Sequence, residues 1–383
     1  MTRTTRQRDH SWRAAFTLVE LLVVIAIISV LATMVLFALY GVLEDTRAIA
    51  TRSTISRINA FVIDKWDEYQ SRPVSIRFVS GSPLNETEFE RLRTGLRGPT
   101  LGEHYGHFVS YARLAAIREL MRMELPNHKS DLMTPGEIGI TRTRAVIADD
   151  NPRTNLTDPR ISAQRFQVQL DSIPGLWFAY RAKAESLAGV NWLIDWTEEH
   201  ETAECLYLIL SMMDDGERSV LSSIGAGEIG DLDNDGMPEI LDAWKAPIVF
   251  LRWPAGFTEQ AANPAFPYSD LLHTDHEDPF DPLYADLRWP PVDADTNNDP
   301  FELVPLILSA GKDKIYDQLL KFNPGSPPSV YYATRLPSSG IAVPNDPFFE
   351  VRGTGGQRAF FGSVTGSAAD DNITNHYVEV NSP

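Results

Sequence analysis

Between Leu21 and Leu43 the chain carries no charge, and its apolar positions run on without any period. Beyond Leu43 the pattern changes to a stripe. Ile55, Ile58, Val62, Trp66 and Tyr69 recur at steps of three and four residues, and nothing interrupts them before Pro73. Steps of that size put side chains on one face of an α-helix, whereas roughly 18 or more uncharged apolar residues suffice to cross a bilayer. Together they predict a helix of about 50 residues over 16–72, in lipid to about residue 43 and then laid against soluble structure. A bend at Gly41 would instead divide it into two helices.

The stretch 73–203 is polar and loop-rich, with helical patterns inside it. One covers 86–96. A stronger one runs through Phe108, Tyr111, Leu114, Ile117, Met121 and Leu125 and stops at Pro126. A third occupies parts of 163–187, interrupted by Pro174-Gly175. The stretch reads as a large, mainly helical insertion. In 204–383 the character shifts again. Ala203, Leu206, Tyr207, Leu210 and Met213 form an amphipathic stripe, and 248–253, 303–308, 329–334, 358–364 and 377–380 read as short strands between Pro, Gly and Asp loops. A long helix first and antiparallel strands last predict an α+β fold, with a C-terminal antiparallel sheet packed on the N-terminal helix.

Composition narrows the partners. With 18 Phe, 12 Tyr and 8 Trp in a chain that is 43% apolar, a packed core is expected and a disordered chain is excluded. The formal charge is −18. Residues 1–15 carry four arginines against one aspartate, so a chain cut after them sits near −21. Such a field repels phosphate backbones, which argues against nucleic acid and suits divalent cations. The arginines lie before the apolar run and Glu44-Asp45 after it. By the positive-inside rule the chain is then single-pass in the inner membrane, with its N-terminus cytoplasmic and its bulk periplasmic or extracellular. Cys205, the only cysteine, allows no intrachain disulfide and reads as a buried structural thiol.

Glu20 is the anomaly. A carboxylate at bilayer depth costs about 2.5–3.5 kcal/mol on insertion scales and calls for a partner charge. A cut between Ala15 and Phe16 would create one, the new α-amino group. The stretch Phe16-Thr17-Leu18-Val19-Glu20 and its apolar continuation resemble the signal of type IV prepilins and of the pseudopilins of type II secretion. The resemblance implies cleavage before Phe16 and N-methylation of Phe16 by a prepilin peptidase, with Glu20 as the acid used in assembly. The family usually has Gly before the cut; here Ala15, another small residue, takes that place.

The sharpest candidate for chemistry is Gly230-Asp231-Leu232-Asp233-Asn234-Asp235-Gly236-Met237-Pro238-Glu239-Ile240-Leu241-Asp242. Carboxylates at loop positions 1, 3 and 5 with Gly at 6 converge on a hard cation. The Met237 carbonyl, Glu239 and Asp242 complete an oxygen shell that suits calcium over 231–242. Pro238 and Asp at position 12 depart from an EF-hand. Asp242-Ala243-Trp244-Lys245-Ala246-Pro247 resembles the Asp-x-Trp-x-x-Pro segment of major pseudopilins. Leu308-Ser309-Ala310-Gly311-Lys312-Asp313 resembles that family's Ser-x-Gly-x-Asp segment, with Lys314 where Gly is common. His273–Asp278 reads as a solvated run. Glu198-Glu199-His200-Glu201 is no zinc motif, because position 204 is Glu where such a motif needs His.

No nucleophile or phosphate-binding constellation is present, so an enzyme is not expected. The resemblance implies a structural subunit that assembles with copies of itself or with other pilin-type subunits, on an inner-membrane assembly platform, into a periplasmic filament for type II secretion or a type IV pilus-like system. The alternative is a membrane-anchored, calcium-dependent binding or adhesion module. The Asp-rich segment also resembles the calcium loops of propeller repeats, but those occur several to a chain and here there is one.

Overall fold

The structure, a computed structural model, describes residues 18–78, 99–133, 138–141, 165–213, 220–257, 277–286, 300–318, 320, 334–335, 342–343, 347–348, 351–352, 358–359, 361–363 and 371–377. Residues 1–15, the Ala15-Phe16 junction, the helical pattern at 86–96, His273–His276, and most of the strands expected at 329–334 and 377–380 lie outside the described residues.

Helix α1 is continuous over Leu18–Ser71, with no break at Gly41. It ends two residues before Pro73, whose ring disfavours helical geometry in the residue before it. Two compact units divide within it, residues 1–49 and 50–383. In the first, large apolar side chains are exposed all round the helix, from Leu18 at 79% to Phe37 at 84%. Ser29 and Thr33 turn their hydroxyls back onto the carbonyls of Ile25 and Val30, at 2.7 Å each, so neither needs water. In the second unit Ile55, Ile58, Val62, Trp66 and Tyr69 are buried, the stripe that the spacing predicts.

The second unit mixes helices with small antiparallel sheets, an α+β fold. Strand β1 (Ile76–Phe78), helix α2 (Pro99–Glu124), and strands β2 (Ile138–Thr141) and β3 (Arg165–Leu170) come first. The strands form a sheet in the order β1-β3-β2, with Ile76 opposite Leu170 and Ile138 opposite Val168. Among the described residues of 73–203 helix predominates, and this three-stranded sheet stands beside the helices. The third helical pattern splits into β3 and helix α3 (Gly175–Ala188). The reason is legible in Arg-Phe-Gln-Val-Gln-Leu, where Phe166, Val168 and Leu170 alternate with polar residues at the strand period of two.

Short helix α4 (Trp192–Asp195) leads to helix α5 (Glu201–Ser211), which is buried on every side from Glu201 to Leu210. The expected domain boundary at 203/204 thus falls inside a core helix. Then come β4 (Ile229–Gly230), β5 (Glu239–Ile240), β6 (Ile248–Leu251) and β7 (Leu306–Ser309). Two two-residue ladders follow, β8 (Thr334–Arg335) with β9 (Ala342–Val343) and β10 (Val351–Arg352) with β11 (Arg358–Ala359). The last described strand is β12 (Ile373–Thr374), which with β7 and β6 makes the central sheet, ordered β12-β7-β6. Tyr377 lies in a 3-10 turn. Every residue of β6 and β7 is buried, as strands covered on both faces require. Asn375 stitches this sheet to α1. Its Oδ1 accepts from Ile307 N–H at 2.8 Å, and its Nδ2 donates to Asn59 Oδ1 at 2.8 Å and to the Pro305 carbonyl at 2.9 Å.

Charges are buried where α2 meets the rest. Glu124 accepts from Tyr69 at 2.9 Å and from both terminal nitrogens of Arg72 at 2.6 and 2.8 Å, which ties the end of α1 to the end of α2. Asp131, fully buried, meets Arg252 at 3.1 Å and Arg122 at 3.5 Å, and accepts from Asn127 N–H at 3.0 Å. Removing one partner of a buried ion pair leaves the other charge uncompensated at a cost of about 3–5 kcal/mol. Asp131→Ala is therefore expected to lower the stability of the detergent-solubilised chain by about that much, read from the denaturation midpoint. Glu68→Ala, which loses partly exposed pairs with Lys65 and Arg72, should cost under about 1 kcal/mol.

Candidate functional site

The Asp-rich segment is the loop of a short antiparallel hairpin. Strands β4 and β5 pair Ile229 with Ile240 and Gly230 with Glu239, which fixes where the loop begins and ends. Within it the carboxylates hold the backbone by local bonds. Asp231 Oδ2 accepts from Gly236 N–H at 3.1 Å and Asp235 Oδ1 from Met237 N–H at 2.8 Å. Glu239 Oε2 accepts from Leu232 N–H at 3.0 Å. Gly236 stands at φ +93°, open to glycine and strained for other residues. The same residue lies on the end of α3. A Cβ there would sit 3.0 Å from the Leu187 carbonyl oxygen and 3.1 Å from Ala188 Cα.

Five carboxylates come together at this hairpin. Asp231, Asp233 and Asp235 each offer an oxygen within 4.8 Å of the others, and so do Asp233, Glu239 and Glu204. Asp233 belongs to both groups. Burial deepens from Asp231, exposed, through Asp233 and Asp235 to Glu239 and Glu204, which are fully buried. Glu204 comes from α5, well outside the loop. The segment before α5 forms the facing wall: Thr197 donates from its N–H to Asp235 Oδ2 at 2.5 Å and from its hydroxyl to Asp233 Oδ2, while Trp196 Nε1–H donates to Glu204 Oε2. Two buried oxygens of the cluster, Glu204 Oε1 and Asp233 Oδ1, have no hydrogen-bond partner.

The electrostatics follow from this crowding. Burial pushes the Glu204 carboxyl up to about 10, against the lowering effect of the Trp196 bond, and Asp235, Asp233 and Glu239 add to the rise. Burial also lifts Glu239 to about 7, with Asp233 and Asp231 adding to it against the Leu232 bond. A set of carboxylate oxygens with no nitrogen or sulfur donor, two of them buried and orphaned, fits a hard divalent cation of the calcium type.

Asp242, expected at loop position 12, is placed elsewhere. Its Oδ1 accepts from Trp244 N–H at 2.8 Å and Ala246 N–H at 2.9 Å, and its Oδ2 from the Ser309 hydroxyl at 2.6 Å. It belongs to neither carboxylate group. A turn that needs its acceptor to close back on Ala246 ahead of β6 outcompetes the loop for it. Ser309 in turn accepts from Gly311 N–H at 3.1 Å, so the Asp-x-Trp-x-x-Pro and Ser-x-Gly-x-Asp segments hold one another. Asp313 bonds locally to Ile315 N–H at 2.8 Å. Met237 is buried with its N–H on Asp235. From the sequence, Trp196, Thr197 and Glu204 were missed as neighbours of this loop. In the sequence, Glu204 stands out only as the acid where a zinc motif needs His.

Leu18 to Leu43 form the other functional element. At 1.5 Å per residue these turns extend for about 39 Å, more than the roughly 30 Å of a hydrocarbon core. The stretch has the length and composition of a single-pass membrane anchor. Glu20 lies on it, exposed. The family model described as prokaryotic N-terminal methylation motif matches residues 13–36, a span that takes in Ala15, Phe16 and Glu20. The chain thus carries the N-terminal motif typical of type IV pilins and pseudopilins, which implies processing by a prepilin peptidase and pilin-type assembly in general terms. No curated protein and no solved structure matches the chain.

The close packing of the hairpin on α3 makes a test of the loop's placement. Gly236→Ala should cost about 1–3 kcal/mol, because it forces a Cβ into the left-handed region and against Leu187. Gly227→Ala, with open space around it, should stay within about 1 kcal/mol of the parent. Denaturant midpoints of the two variants provide the comparison.

Proposed function

We propose that the protein is a large pilin-like or pseudopilin subunit, cut before Phe16 and N-methylated there by a prepilin peptidase. It sits in the inner membrane by one helix, N-terminus cytoplasmic and bulk periplasmic or extracellular. Through that helix it packs with copies of itself or with other pilin-type subunits, on an inner-membrane assembly platform, into a filament of a type II secretion or type IV pilus-like system. The observation that carries the reading is the coincidence of the matched motif with twenty large apolar side chains exposed between Leu18 and Ile49. Each gains about 1.5–3 kcal/mol on leaving water, which makes lipid or a neighbouring apolar helix the favoured surroundings of the segment.

In this reading Glu20 compensates the N-terminal amine of an adjacent subunit. A subunit in the wrong register leaves both charges unpaired in lipid, so the pair selects alignment. The 231–239 hairpin binds calcium, which neutralises its carboxylates and stiffens this part of the second unit.

Two measurements test the reading. Intact-mass and N-terminal peptide analysis of the membrane-extracted protein should show a chain that begins with N-methyl-Phe16. Recovery only of chains that retain residues 1–15, in cells with an active prepilin peptidase, would overturn it. Glu20→Ala should leave insertion and cleavage intact, since it removes about 2.5–3.5 kcal/mol of insertion cost, and should reduce incorporation into filaments. Wild-type incorporation of that variant in a complementation assay would remove the pairing role.

A further inference from the structure

We infer that Glu204, on core helix α5 and outside the Asp-rich loop, is a direct ligand of the bound calcium and takes the place that the loop's own twelfth residue would fill. The inference rests on the reading of the hairpin as a calcium site and names the residue that joins that site to the core. Three observations lead to it. Glu204 is fully buried, yet its Oε1 has no hydrogen-bond partner. It offers an oxygen to Asp233 and Glu239 at a separation that one cation spans, since calcium–oxygen distances of about 2.3–2.6 Å put facing ligands about 5 Å apart. Asp242 is held by Trp244, Ala246 and Ser309 and stays outside both groups.

Asp233, common to both groups, is then the centre of the shell. Asp231 and Asp235 approach from the solvent side, Glu239 and Glu204 from the interior. The Trp196 bond to Oε2 orients the Glu204 carboxylate and leaves Oε1 for the metal, the kind of outer support that metal ligands commonly have. The consequence is mechanical. A loop with its own twelfth ligand would bind calcium by folding on itself. With Glu204, the ion fastens the hairpin to a helix buried on all sides, so calcium occupancy is felt by the core.

The test is calcium titration calorimetry on the detergent-solubilised full chain, paired with melting temperatures in calcium and in chelator. Wild type should bind calcium and melt higher in its presence. Glu204→Gln, nearly isosteric and still able to accept from Trp196, should weaken binding on the order of tenfold or more, because loss even of an outer-shell partner typically costs 10–100-fold. Glu204→Asp keeps the charge with a shorter reach and should recover part of that loss. Asp242→Asn should bind as wild type does. If wild type binds and both Glu204→Gln and Glu204→Asp bind equally tightly, Glu204 is a buried acid and no ligand, and the inference is overturned while the loop reading stands. If Asp242→Asn is the variant that loses affinity, the twelfth residue serves after all and the inference fails. If wild type shows neither binding heat nor a shift in melting temperature, the loop reading itself falls, and this inference with it.

Discussion

A helix that is apolar on every side has no face to give to water, and that constraint governs the N-terminal part of this protein. Along residues 18–43 the chain has one acid, Glu20, and the hydroxyls of Ser29 and Thr33 are satisfied by the helix's own carbonyls. Nothing in such a segment specifies contact with a soluble domain, and in the first unit none of its large apolar side chains is buried. From Thr51 onward only one face is apolar, and that face is covered. The change from all-round to one-sided hydrophobicity marks the passage between surroundings.

The second unit holds its elements by polar devices as much as by apolar packing. Helix α2 carries Arg118, Glu119, Arg122 and Glu124 into the interior, and each is answered: Arg118 by Asp286 at 2.7 Å and Asp278 at 3.1 Å, Arg122 by Glu119 at 2.7 Å, Glu124 by Tyr69 and Arg72. Such pairs add little net stability over apolar substitutes, but a wrong arrangement leaves buried charge uncompensated, which penalises alternative packings. Asn375 and Asp242 act in the same way on the sheet, each tying separate stretches of chain by several bonds from one side chain.

At the hairpin the same economy is carried further. Five carboxylates are drawn together, two of them fully buried, which is unfavourable for bare charges and favourable with a cation. The arrangement places an acid of a core helix beside an exposed loop, so the electrostatics of the loop and the integrity of α5 are coupled. Trp196 and Thr197 form the surface on which that coupling is aligned.

The long helix, its two kinds of surface and its end before Pro73 could be read from the sequence, because each depends on residues close together in the chain. The same holds for the buried stripe of α2, for most of α5, and for Asp231, Asp233 and Asp235, whose spacing and Gly236 dictate a local turn. Strand β3 is legible too, in the alternation of Phe166, Val168 and Leu170, although the wider window 163–187 reads as helix. What tertiary structure decided is the company these elements keep. Glu204 lies 29 residues from Asp233, and no local spacing links them; only the packing of α5 against the hairpin brings their carboxylates within reach. Asp242 shows the converse. Its position in the loop pattern is right for a ligand, but Ser309, far along the chain, together with the turn to Ala246, fills its oxygens first. Sequence determines what a residue can offer through its chemistry and its near neighbours, whereas hydrogen-bond partners and desolvation are set by segments distant in the chain, and they decide which offers are taken up.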